Sequence, residues 1–119
     1  MSPSAKRPPR VTFRSNTEIA IHVPDLDQAE RFYGRVLNFR SVARSAEQLE
    51  LDAGALRLYV NRDRVPRSFV PSFDVSDHAA AERHLKEAGC SPVTVLAGGN
   101  HVTYFLDPFG FAFDIVERR

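Results

Sequence analysis

Glu18, Ala20 and His22 fall on one face of an alternating segment, Thr17 to Val23, whose other face carries Ile19, Ile21 and Val23. Strand alternation sends the two sets in opposite directions, so the aliphatic set is expected under a helix and the polar set elsewhere. A carboxylate and an imidazole on one face can transfer protons or hold a positively charged group. Asp74 stands 52 residues after His22 in an internal repeat, so the two could line one cavity rim as proton donor and acceptor. The plainer alternative is a half-exposed histidine at a strand end. His101, near the start of a later strand, is a second candidate against the same alternative. His78 and His84 lie on a helix, away from any expected cavity, and receive no role. Cys90 follows a helix end with no base beside it in sequence and reads as a small buried hydrophobe. There is no Gly-rich phosphate loop and no Gly-x-Ser-x-Gly elbow, which leaves nucleotide binding and serine hydrolysis without support.

The elements that must position these residues come in two copies. Val23-x-Asp25-x-x-x-Ala29-Glu30-Arg31 returns as Val75-x-Asp77-x-x-x-Ala81-Glu82-Arg83, each matched pair displaced by 52 positions. In both copies an extended apolar segment turns through an acidic cap into an amphipathic helix. Asp25 with Gln28 makes a capping-box-like start, Ala29, Phe32, Tyr33 and Val36 form one helical stripe, and Asn38 fits a left-handed C-terminal cap. Strands are expected over Phe39 to Ala43, Gln48 to Asp52 and Leu56 to Asn61. In the second copy a strand near Phe69 to Val75 leads to a helix over Asp77 to Ala88, ended by Gly89. Further strands are expected near Pro92 to Leu96, His101 to Leu106 and Phe111 to Glu117, with Gly98-Gly99 and Asp107-Pro-Phe-Gly110 as turns. The order is βαβββ twice: an α+β domain over 16–119, with modules 16–61 and 69–117 joined by an Arg-rich linker, 62–68. Helices on one face of each mixed sheet leave the opposite faces free to curl around a cavity.

Composition narrows the partners. Lys6, Arg7, Arg10 and Arg14 lie in a Pro/Ser-rich start, residues 1–15, read as a disordered basic tail. The formal charge of +1 less those four leaves the folded part near −3, with no basic stripe for a phosphate backbone, so nucleic acid is not expected as a partner. No run approaches the roughly eighteen apolar residues of a membrane span, and no signal-peptide core opens the chain. The single cysteine excludes an internal disulfide and suits a reducing cytoplasm. At 13.4 kDa the chain should bury roughly two thirds of its unfolded surface, a margin that a dimer interface would help.

Two segments carry a family resemblance. Ile21-His-Val-Pro-Asp-Leu-Asp-Gln-Ala-Glu-Arg-Phe-Tyr-Gly-Arg-Val-Leu-Asn-Phe39 resembles the opening of the vicinal oxygen chelate superfamily, which includes glyoxalase I, extradiol dioxygenases, fosfomycin resistance enzymes and bleomycin resistance proteins. Phe105-Leu-Asp-Pro-Phe-Gly-Phe-Ala-Phe-Asp-Ile-Val-Glu117 is similar to its closing hairpin. The resemblance implies a glyoxalase/bleomycin resistance-like fold with a divalent metal held by His, Gln or Glu from the first and last strand of each module. Carried across, those positions are Glu18, Val70, Asp114 and, as the counterpart of Asp114, Arg57. Val70 has no lone pair and a guanidinium has no acceptor, so two ligands remain, too few for a zinc, nickel or iron site. The expectation is therefore no cofactor, with Arg57 bridging Glu18 and Asp114; the alternative is a divalent metal on those two carboxylates. Tyr104 falls where extradiol dioxygenases carry a cavity tyrosine, and here it either offers a hydroxyl to a ligand or packs as a core aromatic.

Two functions from different classes follow. The first is a metal-free binding protein of the bleomycin resistance type, a homodimer whose cavity sequesters a small drug-like molecule or metabolite. In it Phe39, Tyr59 and Tyr104 stack on the ligand while Glu18, Asp74 and Asp114 favour a cationic or hydrogen-bond-donating end. The second is a divalent-metal-dependent lyase, isomerase or dioxygenase using Glu18 and Asp114 with His22 or His101. A catalyst without metal, with Glu18 or Asp114 as general base, stands beside them, its signature a raised carboxylate pKa in a dry cavity. The ligand-binding set is thus Glu18, His22, Arg57, Tyr59, Val70, Asp74, Tyr104 and Asp114.

Overall fold

Asp25 and Asp77 perform the same act 52 residues apart. Each is extended, and each accepts a hydrogen bond from the amide three residues on, Gln28 N at 3.1 Å and Ala80 N at 3.0 Å, so that a strand becomes a helix. The computed structural model describes residues 11–118. Their order is β1 (Phe13–Val23), α1 (Leu26–Ala29) widening into a π-type segment (Glu30–Val36), β2 (Arg40–Arg44), β3 (Gln48–Asp52), β4 (Arg57–Arg62), β5 (Arg67–Val75), α2 (His78–Glu87), β6 (Ser91–Ala97), β7 (Asn100–Leu106) and β8 (Ala112–Glu117). This is βαβββ twice, as the repeat implies. Residues 13–15, expected in a disordered tail, instead begin β1 and pair with Val75, Asp74 and Phe73. Val11 packs against the second core and Thr12 N donates to Ser76 Oγ at 3.0 Å, while residues 1–10 of that expected tail lie outside the described residues.

One curved sheet of eight strands results, ordered β2-β3-β4-β1-β5-β8-β7-β6. Each half contributes four neighbouring strands, and the halves meet where β1 runs antiparallel to β5. The ladder there pairs Ile19 with Pro71, which are themselves 52 residues apart. A pseudo-twofold axis therefore passes between them. Residues near Ile19 approach their repeat-mates; residues farther along β1 move away from theirs, because the strands run in opposite directions.

The helices cover one face. Ile21, Leu49, Leu51 and Val60 pack beneath α1, and Val75, Phe105 and Ile115 pack beneath α2 with Ala81. Leu49, Leu51, Val60 and Phe105 lose all contact with solvent, each contributing on the order of 1.5–3 kcal/mol. The expected stripe of the first helix is only half realised. Ala29 is buried and Tyr33 packs on the core, but Phe32 and Val36 stay exposed. The cause is the wider turn, closed by Leu37 N to Phe32 O at 3.1 Å, which rotates these side chains off the buried face. Asn38 then ends the segment at φ 60°, the left-handed cap its side chain tolerates. Asn38→Ala is expected to cost about 1 kcal/mol in urea unfolding and Asn38→Gly nothing, since only the alanine pays for the left-handed backbone.

The opposite face curls inward until the β6–β7 turn reaches β3 and β4. Gly98 N donates to Asn61 Oδ1 at 3.1 Å, and Gln48 Nε2 donates to the same oxygen at 2.8 Å. A side chain on Gly99, at φ 84°, would come within 3.0 Å of Glu47 Cγ, so glycine permits this approach. The sheet stays open in hydrogen-bonding order, but its β6–β7 end folds over onto β3 and β4 through these contacts. Among the described residues no helix is long and apolar enough to cross a membrane.

Candidate functional site

The curl encloses a cavity of about 460 Å3. Its apolar floor is Val70, Ala20 and Val102 beside Tyr104; its polar wall comes from strand positions of one parity, Glu18, Gln48, Tyr59, Asn61, Ser72 and Asp114. Five of the eight sequence-proposed residues line it: Glu18, Tyr59, Val70, Tyr104 and Asp114. His22, Arg57 and Asp74 do not.

Each departure has a physical reason. Arg57 is the register partner of Glu18, yet its guanidinium turns to the Glu50 carboxylate on the neighbouring strand instead of bridging Glu18 and Asp114. The cation that reaches Glu18 is Arg118, with Nη2 3.3 and 3.4 Å from the two carboxylate oxygens. Asp74 is drawn to the same rim. It accepts from Asn16 Nδ2 at 2.9 Å and lies 3.7 Å from Arg118 Nε. His22 and Asp74 cannot share a rim, because the pseudo-twofold axis sends them to opposite ends of the β1–β5 seam, where Asp74 pairs with Arg14 and His22 with Arg67. Register also reassigns the counterpart of Asp114. Ala20 pairs with Tyr59 in the first half and Ser72, its repeat-mate, pairs with Asp114 in the second, so Tyr59, not Arg57, occupies the equivalent place.

His22 is 1% exposed and holds the site from below. Its Nδ1 lies 3.1 Å from Asp63 Oδ2 and its Nε2 2.8 Å from the Tyr104 hydroxyl. Burial holds the imidazole neutral by lowering its pKa, against the pull of Asp63. Burial alone would raise Asp63, but the amides of Val65 and Leu96 together with His22 outweigh it and keep the carboxyl below its ordinary range. An ionised Asp63 accepts from Nδ1–H, which leaves Nε2 as acceptor and makes Tyr104 the donor. Burial, then Asp114, push the Tyr104 phenol up, so it keeps its proton.

Asp114 is a cavity carboxyl displaced from its ordinary range. Burial raises it to about 6, opposed by the Ile115 amide and the charge of His78. His78, expected to lie away from any cavity, lines this one together with Glu82. The β7–β8 ladder holds only the pairs Phe105–Phe113 and Leu106–Ala112; beyond them the strands part, and the first turn of α2 reaches the cavity. His84 instead lies beside Phe13, ring centroids 6.2 Å apart, and His101 is exposed. Phe39 stacks on Tyr33 beneath the first helix, outside the cavity. Cys90 is half-buried against the second core. Gln48, Asn61, Ser72, His78 and Glu82 escaped the sequence reading. The alternation of Gln48 and Glu50 with Leu49 and Leu51 was the available signal for the first of these.

The four positions expected to hold a metal thus present a carboxylate at Glu18, a phenol at Tyr59, an isopropyl group at Val70 and a carboxyl at Asp114. Burial, then Glu50 and Glu18, raise the Tyr59 pKa, so the phenol stays protonated. With two carboxylates and neither imidazole nor thiolate, the set does not match the donors a transition ion requires. Among the described residues no group of three or more His, Cys, Asp or Glu side chains is arranged to hold a metal ion.

Solved structures with the same architecture include extradiol enzymes. Homoprotocatechuate 2,3-dioxygenase from Brevibacterium fuscum, in an anaerobic complex with 3,4-dihydroxyphenylacetate, aligns at TM-score 0.66 and 20% identity, over 92% of this chain and 38% of that one. A room-temperature structure of an extradiol ring-cleaving dioxygenase from B. fuscum aligns at TM-score 0.65 and 18% identity, over 92% and 34%. At such identities the likeness is one of fold, and the chain spans little more than a third of theirs. A comparison with curated proteins finds no match. A family model described as a glyoxalase-like domain matches residues 18–116. With the duplicated βαβββ unit, the curled sheet and that match together, the chain belongs to the glyoxalase-like domain family of the vicinal oxygen chelate superfamily.

Proposed function

We propose that this chain is a small-molecule-binding protein of the glyoxalase and bleomycin resistance type, whose cavity takes a compact organic ligand without a metal. The observation that carries the reading is the donor set Glu18, Tyr59, Val70 and Asp114: two carboxylates suited to a cationic or hydrogen-bond-donating group, set in a partly apolar wall. Glu18 already holds the Arg118 guanidinium, which supports the preference for a cation. We also propose that the protein pairs as a homodimer in a reducing cytoplasm, in keeping with its small core and its single cysteine.

The test is metal analysis of protein purified without chelator, paired with thermal shifts against nickel, zinc, manganese and a set of drug-like amines. Far less than one metal per chain and stabilisation only by organic ligands are expected, about 2.7 kcal/mol at a hundredfold excess over Kd. Stoichiometric metal, or stabilisation by one of those ions, would instead favour a metal-dependent lyase, isomerase or dioxygenase. A second reading, a catalyst without metal, draws on the raised pKa of Asp114. A carboxyl near 6 is partly protonated at physiological pH and is matched to general acid–base work. It is distinguished by a ligand that returns chemically altered, with a rate that titrates near pH 6 and is lost in Asp114→Asn.

A further inference from the structure

A second concavity, of about 430 Å3, lies between the N-terminal half of β5 and the β7–β8 loop. Arg67 reaches it, walled by Phe69, Phe111 and Phe113. Phe69 and Phe111 are 60% and 71% exposed, large values for aromatic side chains, and both line the groove. Arg40, Arg44, Arg57, Arg62 and Arg118 all pair with carboxylates. Arg67 differs. Its Nε is closed off from solvent and is the one buried side-chain nitrogen or oxygen among the described residues with no hydrogen-bond partner. Arg67 stands opposite buried His22 in the β1–β5 ladder, and its charge acts on both His22 and Tyr104.

A guanidinium presents donors in a fixed fork that fits a carboxylate, and a buried donor left without a partner carries a desolvation cost that an anion removes. Among the described residues the one carboxylate lining this groove, Asp107, has its Oδ1 engaged by the amides of Phe109 and Phe111, each at 2.9 Å. We propose that this groove is a second binding site, separate from the main cavity, for a small organic anion: an aromatic carboxylate whose charge meets Arg67 and whose ring packs between Phe69 and Phe111. The inference is independent of what the main cavity binds.

The experiment is a titration of the full chain with benzoate and, as the neutral analogue of equal shape, benzamide, followed by two-dimensional NMR. Benzoate is expected to shift the Arg67 Nε–H and the amides of Phe69 and Phe111, and to bind about tenfold or more tightly than benzamide. Arg67→Met should abolish the difference while keeping the amide spectrum of a folded protein, and Arg67→Lys should retain part of it. Equal affinity for the two compounds, shifts confined to the main cavity, or undiminished benzoate binding by Arg67→Met overturns the proposal. So does light scattering that shows Arg67→Met converting a dimer to a monomer, since the groove is then filled by a second copy of the chain.

Discussion

His22→Ala is expected to destabilise the protein by on the order of 3 kcal/mol at pH 7.5, lowering Tm by roughly 12–20 °C. The substitution empties a space that is 1% exposed and strips the Tyr104 hydroxyl, itself buried, of its acceptor. Asp63 loses the ring nitrogen 3.1 Å away but keeps the Val65 amide. Tyr104→Phe removes only one end of the chain and is expected to cost about 1–2 kcal/mol, less than additively with His22→Ala because both break the same bond. The pH dependence has a defined sign. The folded-state pKa of His22 is depressed below 6.5, so the folded protein binds fewer protons than the unfolded chain in the window beneath that value. Its stabilisation is complete above pH 6.5 and is lost as pH falls through the folded pKa, so the gap between wild type and His22→Ala should narrow on acidification. Urea unfolding across pH 5–8 measures it. A gap that is constant, or below 1 kcal/mol throughout, would show that the chain from Asp63 to Tyr104 does not hold the cavity floor.

Asp114→Asn should have the opposite effect and stabilise the protein at pH 8. A carboxyl moved from 3.8 to about 6 by burial is costly to ionise, at about 1.4 kcal/mol per unit, or about 3 kcal/mol when fully charged. Here the folded state binds the proton more tightly than the unfolded chain between those two values. Stability contributed by this group is therefore lost as pH rises from 4 to 6 and is not recovered above. The variant escapes that loss, so its advantage should be about 2 kcal/mol at pH 8, allowing for imperfect amide pairing, and vanish near pH 4. Other carboxyls, with Asp27, Asp52 and Asp63 shifted down, titrate in both proteins and cancel in the difference. A variant less stable than wild type at every pH would mean that the carboxylate is well solvated in the cavity and is no candidate for acid–base chemistry. Stabilisation with loss of ligand binding is the pattern of a residue kept for function at the expense of the fold.

What the chain discloses without coordinates follows the range of the interactions involved. Asp25 and Asp77 announce their helices because a cap bonds three residues ahead, and Asn38 announces a left-handed turn because the constraint lies in its own backbone. The face shared by Glu18 and Ala20 is legible from alternation. His22 obeys the same alternation, but its burial depends on Asp63 and Tyr104, 41 and 82 residues away, and no local pattern carries that. Arg57 is the counterpart of Asp114 that the resemblance implies, but pairing between strands is not a local property, and only the ladder shows that Tyr59 is the match. The approach of His78 depends on two strands parting after a two-pair ladder, a matter of sheet curvature that one sequence does not encode in any short window. The widened turn after Ala29 is invisible for a related reason, since Phe32 and Val36 keep perfect helical spacing while the backbone beneath them does not.

The axis between Ile19 and Pro71 makes the molecule its own reference sample. Asp25 and Asp77 accept nearly the same hydrogen bond in the same backbone geometry, yet one heads a short turn that broadens and the other a regular helix from His78 to Glu87. Replacing each aspartate separately by alanine compares two surroundings with temperature, solvent and chain held identical. Any inequality between them belongs to what lies downstream of the cap and not to the cap itself.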